Sequence, residues 1–282
     1  MATVEIAGND ISQGTVEKEF FVRFCTRQRV EHIVLLVSFT ILAVTGLAQR
    51  YYTAGWGDWI ILNLGGIEYT RLVHRAFGVV FTLAIGFHFI YVAYSFFLKH
   101  RKLTMVPTIK DFRDVINTLK YGFGFKDKPP LFGRFDYRQK LEYWGLVLGG
   151  LVITVTGIIL TFPVALTRII PGQVVAASVE IHGYEATLAV ITIIIWHLYD
   201  VIFRPGIFPG DTTMFTGRIS RERMLEEHPL EYAELQETLA SSKTYYPPTD
   251  KDDPESDNEQ RLEMLLPGAF PDHDKSSTDK PE

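Results

Sequence analysis

Four long stretches of the chain are apolar on every side. Crossing a bilayer as a helix takes about 20 apolar residues, whereas a core helix of a soluble protein keeps a polar face. We therefore predict four transmembrane helices rather than a soluble helical bundle with unusually apolar helices. The stretches cover roughly residues 30–47, 73–98, 141–162 and 181–203.

A shorter segment between the second and third stretches is apolar on one side only. Its apolar residues recur at helical spacing, and Thr108 stands where an N-cap is expected. This pattern is typical of an amphipathic helix that lies on a membrane surface. The apolar positions are Ile109, Phe112, Val115, Ile116 and Leu119.

The charge of the 282-residue chain is divided unevenly along its length. Residues 216–282 hold 8 Lys and Arg against 17 Asp and Glu, a balance of −9, so the first 215 residues carry +4 of the total of −5. The acidic part starts with a helical pattern and continues into low-complexity sequence, which predicts a largely disordered C-terminal tail. We predict a leader at 1–29, a four-helix transmembrane domain at 30–215 and a tail at 216–282, in an all-α membrane protein.

The distribution of basic residues predicts the orientation in the membrane. The loop from Lys99 to Lys140 holds 11 Lys and Arg, while the other two loops are poor in them. By the positive-inside rule, this loop and both termini face the cytoplasm. Trp56 and Trp59 then fit the aromatic belt at the outer interface. The net negative charge argues against a nucleic-acid partner.

Five of the eight histidines fall in or at the edge of the apolar stretches. Ionisable side chains inside a membrane are costly and usually mark a functional site. These five are His32, His74, His88, His182 and His197, whereas His100, His228 and His273 fall in polar segments and are expected to be solvated.

The spacing of the intramembrane histidines predicts two facing pairs. His74 and His88 are 14 residues apart and His182 and His197 are 15 apart, about 21 and 22 Å along a helix. The second and fourth helices run parallel, which pairs His74 with His182 near the outer face and His88 with His197 near the inner face. Such pairs suit two haems with two histidine ligands each. Zinc needs three or four converging ligands, and the single cysteine, Cys25, excludes cysteine-ligated clusters.

Several segments resemble the prokaryotic di-haem cytochromes b, the membrane-anchor subunits of formate dehydrogenases and nickel–iron hydrogenases. They are RVEHIVLLVSFTILAVTGL, RLVHRAFG, QKLEYWGLVLGGLVITVTGIILTFP and IHGYEATLAVITIIIWHLYD. The resemblance implies two haem b, with His74 and His182 as the outer ligands and His197 and His32 as the inner ones. The spacing instead pairs His197 with His88, as in the cytochrome b of bc-type complexes. Both assignments stay open, as does a third haem that would use both residues.

The resemblance also implies a quinone site at the inner haem, for menaquinone or ubiquinone. The segment GRFDYRQKLEYW places Asp136 and Gln139 at the matching polar positions. The family usually has a neutral amide where Asp136 stands, so a carboxylate there suits proton exchange. The alternative is that this segment is only a charged turn at the membrane interface.

These observations predict an electron-transfer subunit in the cytoplasmic membrane of a bacterium or archaeon. Electrons would pass between an outer-face redox subunit and a quinone near the inner face. Catalysis on the primary substrate would belong to the partner, either a multihaem cytochrome c or an iron–sulfur, molybdenum or nickel enzyme subunit. Two alternatives are a haem-bearing membrane anchor without its own quinone site, and a transporter whose histidines relay protons or metal.

Overall fold

The computed structural model of the chain describes residues 4–5, 19–100 and 103–244. The helix Gly172–Thr192 continues in π-helical geometry through Ile193–His197 and Tyr199–Phe203. In chain order the elements are β1 Val4–Glu5, β2 Phe20–Val22, α1 Thr26–Arg50, α2 Gly55–Asn63, α3 Ile67–Phe97, α4 Ile109–Gly122, α5 Tyr137–Thr161, α6 Pro163–Leu166, α7 Gly172–Thr192, α8 Thr213–Thr216, β3 Arg218–Ser220, α9 Arg221–Glu227 and α10 Pro229–Thr244.

The four predicted transmembrane helices are confirmed. Among the described residues, the helices long and apolar enough to cross a membrane are α1, α3, α5 and the continuous segment Gly172–Phe203. Their large apolar side chains point away from the bundle, as Leu83 at 68% and Ile195 at 70% exposure illustrate. Lipid can cover such an apolar surface without a free-energy cost, whereas its exposure to water is unfavourable.

The interior of the bundle contains small hydroxyl side chains. Within the described residues, Ser38, Thr45, Thr70, Thr156 and Ser178 are buried, and each donates its hydroxyl to a backbone carbonyl one turn earlier. Small residues of this kind let transmembrane helices approach closely, and their polar groups are satisfied within their own helix. In contrast to these hydroxyl side chains, the histidines of the two facing pairs project from one helix towards another.

The π-helical segment adjusts the direction of His197. In a regular α-helix, 15 residues rotate the side chain by about 60° relative to His182. The structure has π-helical turns from Ile193 onward, which fit additional residues into each turn. His197, which lies in this segment, faces His32 of α1.

The predicted amphipathic helix is confirmed as α4, with Thr108 as its N-cap. The Thr108 hydroxyl and amide both donate to the Asp111 carboxylate, at 2.7 and 2.6 Å. Asp111 also accepts from the Lys140 ammonium at 2.8 Å, which fixes the polar side of α4 against α5. The apolar side, including Ile109 and Phe112, is left exposed.

A small sheet and two helices cover the bundle end at which α1 begins. The strands are antiparallel in the order β1-β2-β3, with Phe21 opposite Ile219. Phe21, Ile219 and Met224 form a buried apolar core there. We call this end of the bundle the inner end, following the predicted orientation, and the end that carries α2 the outer end.

A buried ion cluster joins three distant segments at the inner end. The Arg23 guanidinium pairs with Glu231, which also pairs with Arg134 at 2.7 Å. His228 accepts from Arg23 at 3.0 Å and donates through Nδ1 to the Gly133 carbonyl at 2.8 Å. The expectation that His228 is solvated is therefore wrong, because these contacts bury it to 4% exposure.

The acidic tail includes α9 and α10, which occupy its segment with the helical pattern. Its low-complexity part at residues 245–282, for which the sequence predicts disorder, lies outside the described residues, as does His273.

Candidate haem sites

The outer histidine pair joins α3 to α7. The ring centroids of His74 and His182 are 6.3 Å apart, with the ring planes inclined by 75°. The Nδ1 atom of His74 lies 2.9 Å from the Thr45 hydroxyl, and the Nδ1 atom of His182 lies 2.9 Å from the Thr156 hydroxyl. The structure therefore brings together the pair that spacing and resemblance both predicted.

The inner pair is formed by His32 at the start of α1 and His197 at the end of α7. Their ring centroids are 6.4 Å apart and the planes are inclined by 43°. His197 directs Nδ1 to the Glu142 carboxylate at 3.1 Å. The Nδ1 atom of His32 is buried and has no hydrogen-bond partner among the described residues. The residue facing His197 is thus the one implied by the resemblance.

His88, which the spacing pairs with His197, is engaged elsewhere. Its Nδ1 atom lies 3.2 Å from a Glu31 carboxylate oxygen, and its Nε2 atom lies 3.0 Å from the Tyr143 hydroxyl. Both ring nitrogens therefore have polar partners within the protein. Depth alone placed His88 near His197, whereas the direction of the side chain from α3 takes it towards α1 and α5.

The arrangement of donors fits haem with two histidine ligands. The two pairs are separated by about 22 Å along α7, taking 1.5 Å per residue for the 15 residues between His182 and His197. The described part of the chain holds no group of three His, Cys, Asp or Glu that would bind a single metal ion. Paired imidazoles without a third ligand suit haem iron, which takes its other ligands from the macrocycle, and do not suit zinc.

Glycines provide close packing around the outer pair. A Cβ atom on Gly46 would lie 2.9 Å from Cε1 of His74, and one on Gly157 would lie 3.3 Å from Cε1 of His182. Both positions therefore hold the imidazoles against bare backbone. This is the kind of cradle that an aligned axial ligand requires.

A pocket lies between the start of α5 and the π-helical segment that also contains His197. Its volume is about 280 Å³, and it is lined by Arg138, Ile195, Trp196, Tyr199 and Asp200. Arg138 lies 3.6 Å from the Asp200 carboxylate. The pocket thus combines apolar walls with a charged pair, and its lining residue Trp196 precedes His197 in the sequence.

The two predicted quinone contacts, Asp136 and Gln139, form the N-cap of α5. The Asp136 carboxylate accepts from the backbone N–H of Gln139 at 2.9 Å. The side-chain oxygen of Gln139 in turn accepts from the backbone N–H of Asp136 at 3.3 Å. Asp136 also accepts from the Arg138 guanidinium at 2.7 Å. Through Arg138 this cap is connected to the pocket.

Several residues of the sites were not singled out as supports of the histidines. Thr45 and Thr156 are ordinary residues of transmembrane helices, and nothing in their periodicity marks them. A signal existed nonetheless, because the tripeptide Val-Thr-Gly occurs twice, at residues 44–46 and 155–157. Glu142 and Tyr143 became recognisable only once α5 was placed against α3 and α7.

Comparisons with known proteins agree with this architecture. Two similar proteins are subunits of Escherichia coli (strain K12) enzymes. The nitrate-inducible formate dehydrogenase cytochrome b556(Fdn) subunit is 25% identical over 233 residues, which cover 83% of this chain and 97% of that protein. The formate dehydrogenase cytochrome b556(fdo) subunit is 24% identical over 225 residues, covering 78% and 96%.

A family model also matches the chain. Its description is prokaryotic cytochrome b561, and the match runs over residues 23–217, from the residue after β2 to the residue before β3. This region contains all four transmembrane helices and all five intramembrane histidines. The chain therefore belongs to the prokaryotic cytochrome b561 family, whose cofactor is haem b.

Proposed function

We propose that this protein is the di-haem b membrane subunit of a respiratory oxidoreductase. It would carry electrons between a redox partner on the outer face and a quinone near the inner face. The observation that carries the proposal is the presence of two facing histidine pairs, His74–His182 and His32–His197, towards opposite ends of one helical bundle. The similarity to formate dehydrogenase cytochrome b subunits supports it.

The histidines would hold the haems and define their chemistry. His74 and His182 would bind the outer haem, and His32 and His197 the inner haem. Bound haem b supplies reversible one-electron transfer at iron. Two imidazoles holding each iron would leave no coordination position open for oxygen, so these residues would favour electron transfer over ligand activation.

The pocket between the start of α5 and the π-helical end of α7 is the proposed quinone site. Arg138 would donate a hydrogen bond to a quinone oxygen, and Ile195 and Trp196 would contact the apolar ring. Asp200, which faces Arg138, would exchange the protons that quinone reduction requires. Asp136, predicted as a direct contact, would then act by holding the Arg138 guanidinium in place.

A partner subunit would carry out catalysis on the primary substrate. The single cysteine of the chain cannot ligate an iron–sulfur cluster. An iron–sulfur, multihaem cytochrome c, or molybdenum or nickel enzyme subunit at the outer end would supply or accept the electrons. In this arrangement the protein is a multi-pass component of a prokaryotic cytoplasmic membrane, with both termini in the cytoplasm.

A spectroscopic titration of the full chain purified in detergent tests the proposal. Reduction with dithionite should produce a Soret and an α band, and the pyridine haemochrome should give two haem b per chain. A short-chain quinol should reduce the haems, and a quinone-site inhibitor should block this reduction. A spectrum without haem would reject the proposal. A haem spectrum that quinols neither reduce nor perturb would favour an anchor without its own quinone site.

A further inference from the structure

The tripeptide Val-Thr-Gly is repeated in two helices that each support one outer histidine. Residues 44–46 lie in α1 and residues 155–157 in α5. Each segment contacts the histidine of the next long helix, so that Thr45 meets His74 and Thr156 meets His182, both at 2.9 Å. The same local sequence thus performs the same contact twice around one site.

The hydroxyl groups contribute to the choice of the ring nitrogen that carries the proton. A threonine hydroxyl has one hydrogen to donate. Thr45 donates it to the Ile41 carbonyl at 2.7 Å, and Thr156 donates it to the Val152 carbonyl at 2.7 Å. With its hydrogen engaged in this way, each hydroxyl accepts from the imidazole. The imidazoles of His74 and His182 also hydrogen-bond the backbone carbonyls of Leu42 and Ile153, which can only accept. Both contacts favour a proton on Nδ1 and leave the lone pair on Nε2.

The glycines determine how closely each imidazole approaches the supporting helix. A Cβ at position 46 would come within 2.9 Å of the His74 ring, a separation that forces either the ring or the helix to move. At position 157 the separation would be 3.3 Å from the His182 ring. In each segment, therefore, the threonine that accepts from Nδ1 is followed by a glycine, which leaves room for the imidazole ring to pack against the helix.

The inner pair lacks this arrangement. His197 has a carboxylate, Glu142, at Nδ1 instead of a hydroxyl, and Nδ1 of His32 has no partner among the described residues. The two neutral hydroxyl supports are thus specific to the outer pair. They are also buried, with Thr45 at 2% and Thr156 at 6% exposure, so no water competes for the contact.

We propose that the two Val-Thr-Gly segments are the positioning elements of the outer haem site. The threonines hold His74 and His182 as Nδ1–H tautomers with Nε2 available to iron, and the glycines allow the rings to pack in that direction. This inference rests on the proposed di-haem function. A hydrogen bond accepted from Nδ1–H also makes an imidazole a more basic ligand, which favours ferric over ferrous iron.

Valine and serine variants of the two threonines test the inference in the full chain. Thr45→Val and Thr156→Val keep the shape and remove the acceptor, whereas Thr45→Ser and Thr156→Ser retain it. Thr40→Val in α1 and Thr161→Val in α5 are matched controls, because these threonines make the same backbone hydrogen bond without contacting a histidine. The readouts are haem per chain and the midpoint potentials from an optical redox titration.

Each valine variant should weaken binding of one haem by about 10- to 100-fold, the usual effect of removing a partner that orients a metal ligand. The haem that remains bound at that site should have a raised midpoint potential. The serine variants and both controls should match the wild type. Because Thr45 and Thr156 support different ligands, either valine variant is sufficient if the other fails to accumulate in the membrane.

The outcomes separate this inference from the function on which it rests. A wild type with two haems, together with valine variants whose haem content and potentials equal those of the controls, would overturn the positioning role and leave the di-haem function standing. Serine variants that lose haem or shift in potential as the valine variants do would also overturn it, because the hydroxyl is then not the cause. A wild type without haem would overturn both proposals.

Discussion

The imidazole of His32, on the first transmembrane helix, faces that of His197, on the last one, with 6.4 Å between the ring centroids. His88 lies on α3, and its two ring nitrogens contact Glu31 and Tyr143 instead of His197. The contact between α1 and α7 therefore defines the inner site. It also decides which of two candidate ligands is available there.

Replacing His32 should remove one haem, whereas replacing His88 should remove none. His32→Ala deletes a proposed axial ligand, so we expect one haem b per chain instead of two by pyridine haemochrome. His88→Ala breaks hydrogen bonds but no proposed iron bond, so two haems should remain. A loss of haem in His88→Ala with a full complement in His32→Ala would assign the inner ligand to His88 instead.

Glu142 should tune the inner haem through His197. Its carboxylate accepts from Nδ1 of His197 at 3.1 Å, and a charged acceptor increases the basicity of the ligand. In Glu142→Gln the midpoint potential of the inner haem should rise, by about 59 mV for each tenfold change in the ferric-to-ferrous equilibrium. The outer haem should titrate as in the wild type. Equal shifts in both haems would contradict a local effect.

The pocket between α5 and α7 should be needed for quinol oxidation or quinone reduction but not for haem binding. Arg138→Gln and Asp200→Asn each remove one charged group from its lining. Loss of a hydrogen bond to a charged group should raise the quinol KM by about 10- to 100-fold. Arg71→Gln is a suitable control, because Arg71 is an exposed partner of Glu68 on α3. Unchanged KM in both pocket variants would place the quinone elsewhere.

The single cysteine provides a test of the orientation. Cys25 is exposed just before α1, and the positive-inside rule places it in the cytoplasm. A membrane-impermeant maleimide should label it only after the cells are permeabilised. In the Cys25→Ser/Trp59→Cys variant the new thiol on α2 should be labelled in intact cells, because Trp59 is 65% exposed at the outer end. The opposite labelling pattern would invert the predicted topology.

The buried ion cluster at the inner end should become less stable in mild acid, because it contains His228. Burial, followed by the charge of Arg23, lowers the pKa of His228 below its ordinary value. Glu227 and Glu231 act in the opposite direction but do not outweigh these effects. The folded state therefore favours the neutral imidazole. The stabilisation is complete above the ordinary histidine pKa of about 6.5 and decreases as the pH falls below it.

Limited proteolysis of the segment containing α9 and α10 measures this effect. Cleavage of the wild type should accelerate between pH 7.5 and pH 5.5, in a range where Glu231 stays ionised in the unfolded chain. In His228→Asn, which has no titrating ring, the acceleration should be smaller. An identical pH profile in both proteins would exclude His228 as the responsible group.

The sequence alone determined the membrane architecture, because hydrophobicity and charge act locally and need no knowledge of tertiary contacts. About 20 apolar residues suffice to identify a spanning helix, so all four spans were predicted within a few residues, except that α3 and α7 begin earlier than expected. The cap at Thr108 was likewise readable, since an N-cap involves only its own first turn. The outer pair followed from depth, because His74 and His182 lie at the same level on parallel helices.

Tertiary structure decided which side chains meet. Sequence spacing assumes a regular helix, and the π-helical segment from Ile193 onward changes the direction of His197. The choice between His32 and His88 depends on how α1 and α3 are rotated about their own axes, which their nearly uniform apolar surface does not reveal. The burial of His228 depends on Arg23 and Gly133, which are far from it in sequence. Depth in the membrane is therefore a property of composition, whereas the direction of a side chain is a property of packing.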